Sequence, residues 1–552
     1  MQDKLSVIIL LNERKIPFWI YSSIDNLINS SNAYVALIVS RKPLGTFAPG
    51  RQRGIGIFIL KLIEKIDYLI FRKRNNYNLL KNISDLKGLT GIFNLISDTS
   101  DANTVQNRLN NIFLEIQPDL IIKFGVHNLN NILYAIPRYG VWSFSIDSDN
   151  ILGGFDYGFW EVFRYKTISF SNVEAIIGKE EQSEIVFESI ESTCPFSINK
   201  NRNNIFYRAS LFLTRLTEGL SLYGEEYLLK QIQRHHEEKT TYTDDGISTD
   251  AGKVLEDAAK YYVRILKLVI NKIRFTDAFN WQIAIDKSTH IDFSSDSFRK
   301  FKTLRSPQNL FWADPFVVSE NNCYFLFVEE YIYSTNKAHI SVIELDPNRN
   351  ILRHQKVIEK PYHMSYPFVF RERGSYYMIP ETASNKTIEL YRCTEFPDIW
   401  EFDRYIMKNI SATDTTLFYY NEKWWLFTTL DQTGGISGGS TELFLFYADS
   451  PLADKWVSHP LNPVVSDESS ARCAGNLFIC NGIIYRPSQD CTIRYGRGFN
   501  LQKVTMLTET EYKETNEKKI KPEWKKDLKG AHTYNFINGL TVIDAYTYHR
   551  RF

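Results

Sequence analysis

The sequence predicts two folds in one chain: an α/β domain with a parallel sheet over residues 1–200, and an all-β five-bladed propeller over residues 278–552. A helical connector spans 201–277, with a flexible stretch at 235–252. Three observations carry this reading. The first 200 residues alternate strand-length apolar runs with amphipathic helical stretches, the βαβ rhythm of a parallel sheet. From about residue 278 short aromatic and β-branched runs alternate with turns, the composition of antiparallel strands. Five such units open on related strings at spacings of roughly 50–60 residues, the length of one four-stranded blade.

In chain order, Ser6–Leu11 and Tyr34–Ser40 read as buried strands around an amphipathic helix at Phe18–Asn29. Gly91–Ser97 is a third strand and Thr104–Leu114 a second helix. Pro118-Asp-Leu-Ile-Ile-Lys-Phe-Gly supplies a further strand. Helical periodicity covers 204–232 and 253–273, and the polar, patternless run from His235 to Asp250 lies between them. The five unit heads are Asp314-Pro-Phe-Val-Val, Tyr366-Pro-Phe-Val-Phe, Asp414-Thr-Thr-Leu-Phe, Gly475-Asn-Leu-Phe-Ile and His532-Thr-Tyr-Asn-Phe. A polar residue recurring at each head favours radial symmetry over a sandwich.

Composition narrows the function classes. The 552 residues carry 65 Lys+Arg against 64 Asp+Glu, a net charge of +1, which argues against nucleic acid as a partner. Apolar residues at 43% and charged residues at 23% are globular proportions. Aromatic residues reach 14%, suiting both β-cores and sugar platforms. Six cysteines show no metal-ligand spacing, so no metal site is expected and reduced thiols in a cytoplasmic setting are. Over 41–74, Arg51, Arg53, Lys61, Lys65, Arg72, Lys73 and Arg74 accompany the apolar run Gly54-Ile-Gly-Ile-Phe-Ile-Leu. This is a solvated helix face or a peripheral contact with the inner face of a membrane. Oligomeric state is not legible.

The first strand of a propeller blade runs beside the central channel, so its start aims side chains at a shared pocket. The heads bring Asp314, His363 (just before Tyr366), Asp414, Arg472 and His532 there. The second strands add Glu329, Glu330, Glu381, Arg486, Gln489 and Asp490. Charge converging on one axis is costly unless paired, so the cluster is either a substrate pocket or an ion network closing the channel. Trp312, Tyr366 and Tyr495 lie beside the heads as candidate sugar platforms.

Trp312-Ala-Asp-Pro-Phe resembles the first-blade motif of five-bladed glycosidases of the arabinanase and xylosidase type. The resemblance implies a general base at Asp314 and a tuning carboxylate at Asp414. The position of those enzymes' general acid falls on Arg472, in Ser470-Ala-Arg-Cys-Ala-Gly-Asn. Hydrolysis needs a proton donor there. A cation instead suits a phosphate-bearing leaving group, held by Arg472 and Arg486. His363-Met-Ser-Tyr-Pro-Phe, Ile379-Pro-Glu-Thr, Trp424-Trp-Leu-Phe-Thr, His459-Pro-Leu-Asn-Pro-Val, Tyr485-Arg-Pro-Ser-Gln-Asp-Cys and Tyr495-Gly resemble the propeller domain of the glucosamine inositolphosphorylceramide transferase family. They also resemble bacterial proteins of surface-polysaccharide biosynthesis. This implies a glycosyltransferase-like enzyme acting on a carbohydrate or glycolipid, with a nucleotide-sugar donor and a catalytic set of Asp314, Asp414, Glu381 and His532. Two other readings stay open: a glycoside hydrolase in which Glu330, Glu381 or His532 replaces the acid, and a carbohydrate-binding scaffold without catalysis.

Residues 118–173 resemble the formyltransferase fold, through the strand at Pro118, Ile136-Pro-Arg-Tyr-Gly-Val-Trp-Ser-Phe-Ser-Ile-Asp and Gly153-Gly-Phe-Asp-Tyr-Gly-Phe-Trp-Glu. The Asn-x-His pair of those enzymes falls on Ser143 and Ser145. Neither serine takes a proton at neutral pH without a base, so formyl transfer from a folate is not expected.

Overall fold

A computed structural model describes residues 4–30, 32–40, 55–71, 79–95, 102–125, 136–147, 157–178, 182–237, 250–287, 295–432, 442–537 and 539–550. The basic stretches at Arg51–Arg53 and Arg72–Arg74, the start of the Gly153 motif and most of the expected flexible stretch lie outside them. The chain forms two compact units, Met1–Ile265 and Leu266–Phe552.

In the first unit the strands are β1 (Leu5–Leu11), β2 (Lys15–Pro17), β3 (Ala33–Ser40), β4 (Leu80–Asn82), β5 (Gly91–Leu95), β6 (Leu120–Lys123), β7 (Val141–Phe144), β8 (Ile168–Ile176) and β9 (Glu184–Ser192). The helices are α1 (Phe18–Asn29), α2 (Ile55–Phe71), α3 (Ala102–Ile116), α4 (Phe159–Phe163), α5 (Ile198–Ala209), α6 (Phe212–Glu237) and α7 (Ala251–Arg274). The main sheet runs β5-β3-β1-β6-β7-β8-β9, parallel through β7 and antiparallel at β7–β8 and β8–β9. Its centre is buried on both faces, which is why β1 reads as Leu-Ser-Val-Ile-Ile-Leu-Leu, apolar throughout from Val7 on. Ile8, Leu10, Ile38 and Ile121 pack against Leu109 and Phe113 of α3.

Two helices of the stretch expected as a helical connector, α5 and α6, pack on this unit, while α7 runs across its end at Ile265. Phe206 of α5 stacks on Trp19 of α1 at 5.4 Å, and Phe212 of α6 meets Phe144 and Phe187 of the sheet. Arg208 is buried against Glu191 of β9 at 3.1 Å. The amphipathic periodicity of 204–232 was therefore the signature of a helix pair covering a sheet, not of a spacer.

The second unit is a five-bladed propeller of four-stranded antiparallel sheets. Blade one holds β12 (Leu310–Glu320), β13 (Cys323–Ile332), β14 (Lys337–Leu345) and β15 (Ile351–Ile358), after β10 (Phe275–Lys287) and β11 (Lys302–Leu304). Blade two holds β16 (Ser365–Glu372), β17 (Ser375–Thr382), β18 (Thr387–Glu395) and β19 (Ile399–Lys408). Blade three holds β20 (Ala412–Tyr420), β21 (Lys423–Leu430), β22 (Leu443–Ala448) and β23 (Val457–Ser458). Blade four holds β24 (Phe478–Cys480), β25 (Ile483–Asp490), β26 (Gly498–Leu507) and β27 (Tyr512–Ile520). The fifth blade is composite, in the order β11-β10-β29-β28, with β28 (Tyr534–Ile537) and β29 (Leu540–Arg550) from the C-terminal end. Pairing of β10 with β29 from Trp281↔Tyr546 to Lys287↔Leu540 closes the ring. Closure leaves no open edge between first and last blade, and it joins residues far apart in sequence.

The unit heads share one backbone feature. The ladder shifts register between Ala313 and Phe316, Ser365 and Phe368, and Thr413 and Thr416. At these bulges Asp314, Tyr366 and Asp414 have φ of 48°, 45° and 52°. Left-handed backbone at a non-glycine residue costs about 1–2 kcal/mol. Its recurrence at the same place in three blades marks a built feature that re-aims the side chain out of the ladder.

Candidate functional site

The bulges bring carboxyl groups together at the propeller axis. Asp314 is buried, its Oδ1 accepting the Thr533 hydroxyl at 2.9 Å and its Oδ2 the Tyr366 backbone N–H at 3.2 Å. The backbone N–H of Asp314 donates in turn to Oδ2 of Asp544 at 3.0 Å. That same oxygen lies 2.7 Å from Nδ1 of His532, while Asp314 Oδ1 lies 3.6 Å from it. The His532 ring stacks on Trp281 with centroids 3.7 Å apart, and Tyr495 meets it edge-on at 5.3 Å. Tyr495 keeps a partly exposed ring and carries the Arg472 guanidinium over its face at 4.9 Å.

A second group adjoins the first. Arg472 grips Asp414 in two places, Nε to Oδ2 at 2.6 Å and Nη2 to Oδ1 at 3.3 Å, and Nη2 lies 3.5 Å from Glu381. Gln489 donates to the same Asp414 Oδ2 at 2.8 Å and to the Cys473 carbonyl at 3.0 Å. Glu329, on the second strand of blade one, lies 3.4 Å from Nε2 of His363.

These carboxyl groups outnumber their cations, and burial makes the imbalance felt. Burial pushes Asp314 up to about 6, helped by the charges of Asp414 and Asp544 and opposed by His532. Burial, then the neighbouring carboxylates, hold Glu329 well above the usual range; Glu381 is held up by burial and by Asp414, against the pull of Arg472. Burial disfavours the charged form of His532, but the carboxylates of Asp544 and Asp314 outweigh it and raise its pKa. The charged forms of Glu329 and Glu381 are thus disfavoured relative to a free carboxylate, and Asp314 is poised near neutral pH.

The structure parts the expected residues into two sets. Asp314, Glu381, Asp414, Arg472, Gln489, Tyr495 and His532 come together at the axis. Trp312 and Glu330 do not. Side chains alternate along a strand, so with Glu329 at the axis, Glu330 leaves the other face of β13. There it accepts from Trp312 Nε1 at 2.8 Å, His339 Nε2 at 3.0 Å and His354 Nε2. Burial works against its charge, yet those donors bring Glu330 down to about 2. A carboxyl so firmly ionised is no proton donor, which removes it as a replacement acid.

Arg486 is closed off as well. It is fully buried, bound to Glu514 through Nε at 2.8 Å and Nη2 at 2.6 Å, and to the Ser470 carbonyl at 2.7 Å. It staples blade four and is not placed as a phosphate ligand. Arg472 is likewise committed to Asp414, which turns the expected anion site into an ion pair. Tyr366 is fully buried rather than a platform: its hydroxyl meets Thr416 Oγ1 at 2.9 Å and accepts the Gly475 N–H at 2.7 Å. Asp490 caps a turn through the Thr492 hydroxyl at 2.6 Å, and half-exposed His363 accepts the Ala338 N–H at 3.2 Å.

Sequence reasoning missed Asp544, Trp281 and Thr533. Asp544 occupies a place like that of Glu329 and Glu381: Ala313↔Glu329 and Ser365↔Glu381 lie one residue before the heads Asp314 and Tyr366, and the Asp544 N–H bonds the carbonyl of Thr533, next to the head His532. That pattern was available. Trp281 had no such signal, because it reaches the axis only through the composite blade. Asp314, His532 and Asp544 offer ligand atoms within 4.8 Å of one another. A cation there would compete with the Thr533 hydroxyl and the backbone N–H groups that already occupy these carboxylates.

With this geometry in place, the comparisons are specific to the propeller. Residues 299–542 match the family model described as glucosamine inositolphosphorylceramide transferase 1, N-terminal. Glucosamine inositolphosphorylceramide transferase 1 of Oryza sativa subsp. japonica is 38% identical over 211 residues, covering 38% of this chain and 28% of that protein. The Arabidopsis thaliana protein of the same name is 28% identical over 263 residues, covering 44% of this chain and 34% of that one. The chain thus spans about a third or less of the curated relatives it matches. Among solved structures, the family 117 glycoside hydrolase Zg3597 of Zobellia galactanivorans aligns at 11% identity and a TM-score of 0.32, over 49% of this chain and 90% of that one. The catalytic domain of Coprinopsis cinerea GH62 α-L-arabinofuranosidase aligns at 10% and 0.34, over 43% and 90%. The family match does not reach the N-terminal unit, for which the formyltransferase resemblance stands as an expectation. The five-bladed half of this chain resembles the N-terminal region of glucosamine inositolphosphorylceramide transferase 1.

Proposed function

We propose that the propeller axis is the sugar-transfer site of a glycosyltransferase-like enzyme of cell-surface polysaccharide or glycolipid assembly, with Asp314 as general base. The observation that carries this is Asp314 itself: a buried carboxyl with a pKa near 6, fixed by Thr533 and Tyr366, 3.6 Å from a histidine. In this reading Asp314 takes the proton of an acceptor hydroxyl as its oxygen bonds to the anomeric carbon. The bond from that carbon to a phosphate-linked leaving group breaks, and the leaving phosphate needs no strong acid. His532, held by Asp544, keeps Asp314 ionised. Tyr495 offers the exposed ring against which a sugar packs. Arg472 and Gln489 hold Asp414 in place.

Glycoside hydrolysis has one specific support, Glu381, a buried carboxyl beside Asp414 and Arg472 whose pKa burial and Asp414 raise, a residue that could fill the acid role that Arg472 cannot. The two readings separate on product. The intact chain and Asp314→Asn are incubated with nucleotide sugars, with and without glycan or glycolipid acceptors. Nucleotide release that requires both acceptor and Asp314, rising with pH through about 6 as Asp314 ionises, supports transfer. Free sugar from glycosides, lost in Glu381→Gln, supports hydrolysis. Glycan binding without turnover of any donor removes both and leaves a binding scaffold.

A further inference from the structure

The N-terminal unit carries an apolar surface that water alone does not explain. On α2, Ile55, Phe58, Leu62, Ile66 and Leu69 recur at three- and four-residue spacing with Ile70, one stripe of a helix. The opposite stripe, Ile57, Leu60 and Ile63, is already buried against Phe159, Val162 and Tyr261. The outer stripe stays open: Ile55 is 73% exposed, Phe58 70%, Ile70 67% and Leu69 57%. Scattered exposed apolar residues are ordinary, but a continuous stripe along one helix marks an interaction surface.

The charges around the stripe select the partner. Lys61 and Lys65 are exposed and directly precede Leu62 and Ile66, so they line one flank of it. The helix's acidic residues are turned inward. Glu64 pairs with Arg202, and Asp67 is buried, accepting the Asn199 N–H at 2.7 Å and the Ser197 hydroxyl at 3.2 Å. A helix that is apolar outward, edged by lysines and stripped of outward acid fits an anionic bilayer surface. A second copy packed antiparallel on the stripe, about a twofold axis perpendicular to α2, would set lysine flank near lysine flank. No described helix is long and apolar enough to cross a bilayer, so the contact is with one leaflet. We infer that the outer stripe of α2 is a peripheral docking surface for anionic lipid. This does not depend on the sugar-transfer reading.

The test is co-sedimentation of the full chain with vesicles of equal parts phosphatidylcholine and phosphatidylglycerol, and of phosphatidylcholine alone. Binding is expected to the first, weakening with salt. Phe58→Glu with Leu62→Glu is expected to lower the partition at least ~tenfold. Lys61→Gln with Lys65→Gln is expected to lower it roughly fivefold per lysine, on anionic vesicles only. All four side chains are exposed, so circular dichroism and the melting temperature should not change. A wild-type protein that stays in the supernatant with both vesicles overturns the inference. So does a wild-type dimer in sedimentation velocity that Phe58→Glu with Leu62→Glu dissolves, since the stripe's occupant is then a second copy.

Discussion

Glu329 and Glu330 are consecutive residues of β13, both buried, whose side chains leave opposite faces of one strand. Glu330 receives three donors, from Trp312, His339 and His354, and is driven down to about 2. Glu329 has His363 at 3.4 Å and feels the charges of Asp314, Glu381, Asp544 and Asp414, and it is driven well above the usual range. Two neighbouring buried glutamates are therefore pushed in opposite directions: burial and like charges raise Glu329, while three donors outweigh burial at Glu330. The blade face is a satisfied network of the kind that fixes a fold. The axis holds carboxyl groups whose protonation a ligand would change, the kind of arrangement that functional sites retain at a cost in stability.

The largest expected effect comes from breaking the one strong pairing at the axis. Arg472→Met leaves Asp414 as a buried charge without its bidentate partner, beside Glu381. The expected loss is about 3–5 kcal/mol, read by thermal or denaturant unfolding. Arg472→Lys should recover only part of it, since an ammonium does not reproduce the two-point grip.

Next in size is the direct contrast on β13. Glu330→Gln removes the charge from three donors and should cost roughly 2–3 kcal/mol. Burial and like charges disfavour the charged form of Glu329, so Glu329→Gln, a neutral amide of the same shape, should cost less than Glu330→Gln in denaturant unfolding. Equal losses in the two variants would break the comparison.

The pH dependence tests the same contrast without mutation. Glu330 has a folded pKa of about 2, below the roughly 4.3 of an unfolded glutamate, so its stabilisation is present above that value and is lost as pH falls toward 2. Asp314 goes the other way. Its folded pKa of about 6 lies above the roughly 3.9 of an unfolded aspartate, so its contribution is present below that value and is lost as pH rises through 6. Unfolding free energy measured against pH should fall on both sides of a maximum. Glu330→Gln should flatten the acid limb and Asp314→Asn the alkaline one.

How far the sequence reached follows from the same geometry. The blades were legible because each repeats an inner strand and hairpin in local order, and Asp314 and Asp414 were legible because they head that repeat. Trp281 was hidden by ring closure: the composite blade pairs it with Tyr546, and spacing along the chain does not report such a pair, whereas Asp544 stands on the local hairpin that follows the His532 head. Trp312, Glu330 and Arg486 engage partners away from the Asp314 and Asp414 groups for a simpler reason. Nearness to a head in sequence says nothing about which face of a pleated strand a side chain takes, and a one-residue step reverses it. The parallel sheet of the first unit was read from unbroken apolar runs. The docking of α5 and α6 on it was not, since an amphipathic helix does not announce what it covers.

A modest effect is expected at Tyr366, and it separates a pin from a platform. The residue sits in left-handed backbone at the head of blade two, fully buried, and its hydroxyl accepts the Gly475 N–H of blade four at 2.7 Å. Gly475 itself has φ of 127°, and a Cβ there would lie 2.1 Å from the Tyr534 carbonyl, so the backbone at this point leaves no room to shift. Tyr366→Phe keeps the ring packed on Phe316 at 4.7 Å and removes the hydroxyl that meets the Gly475 N–H and Thr416 Oγ1. A buried N–H without a partner costs about 1–3 kcal/mol. The low end applies if water reaches the gap. Thermal unfolding of Tyr366→Phe should therefore show a loss of about 1 kcal/mol, with binding of glycans unchanged. Were the ring a sugar platform, the phenylalanine would alter glycan affinity while leaving stability intact, and the axis would have to be wider than its packing allows.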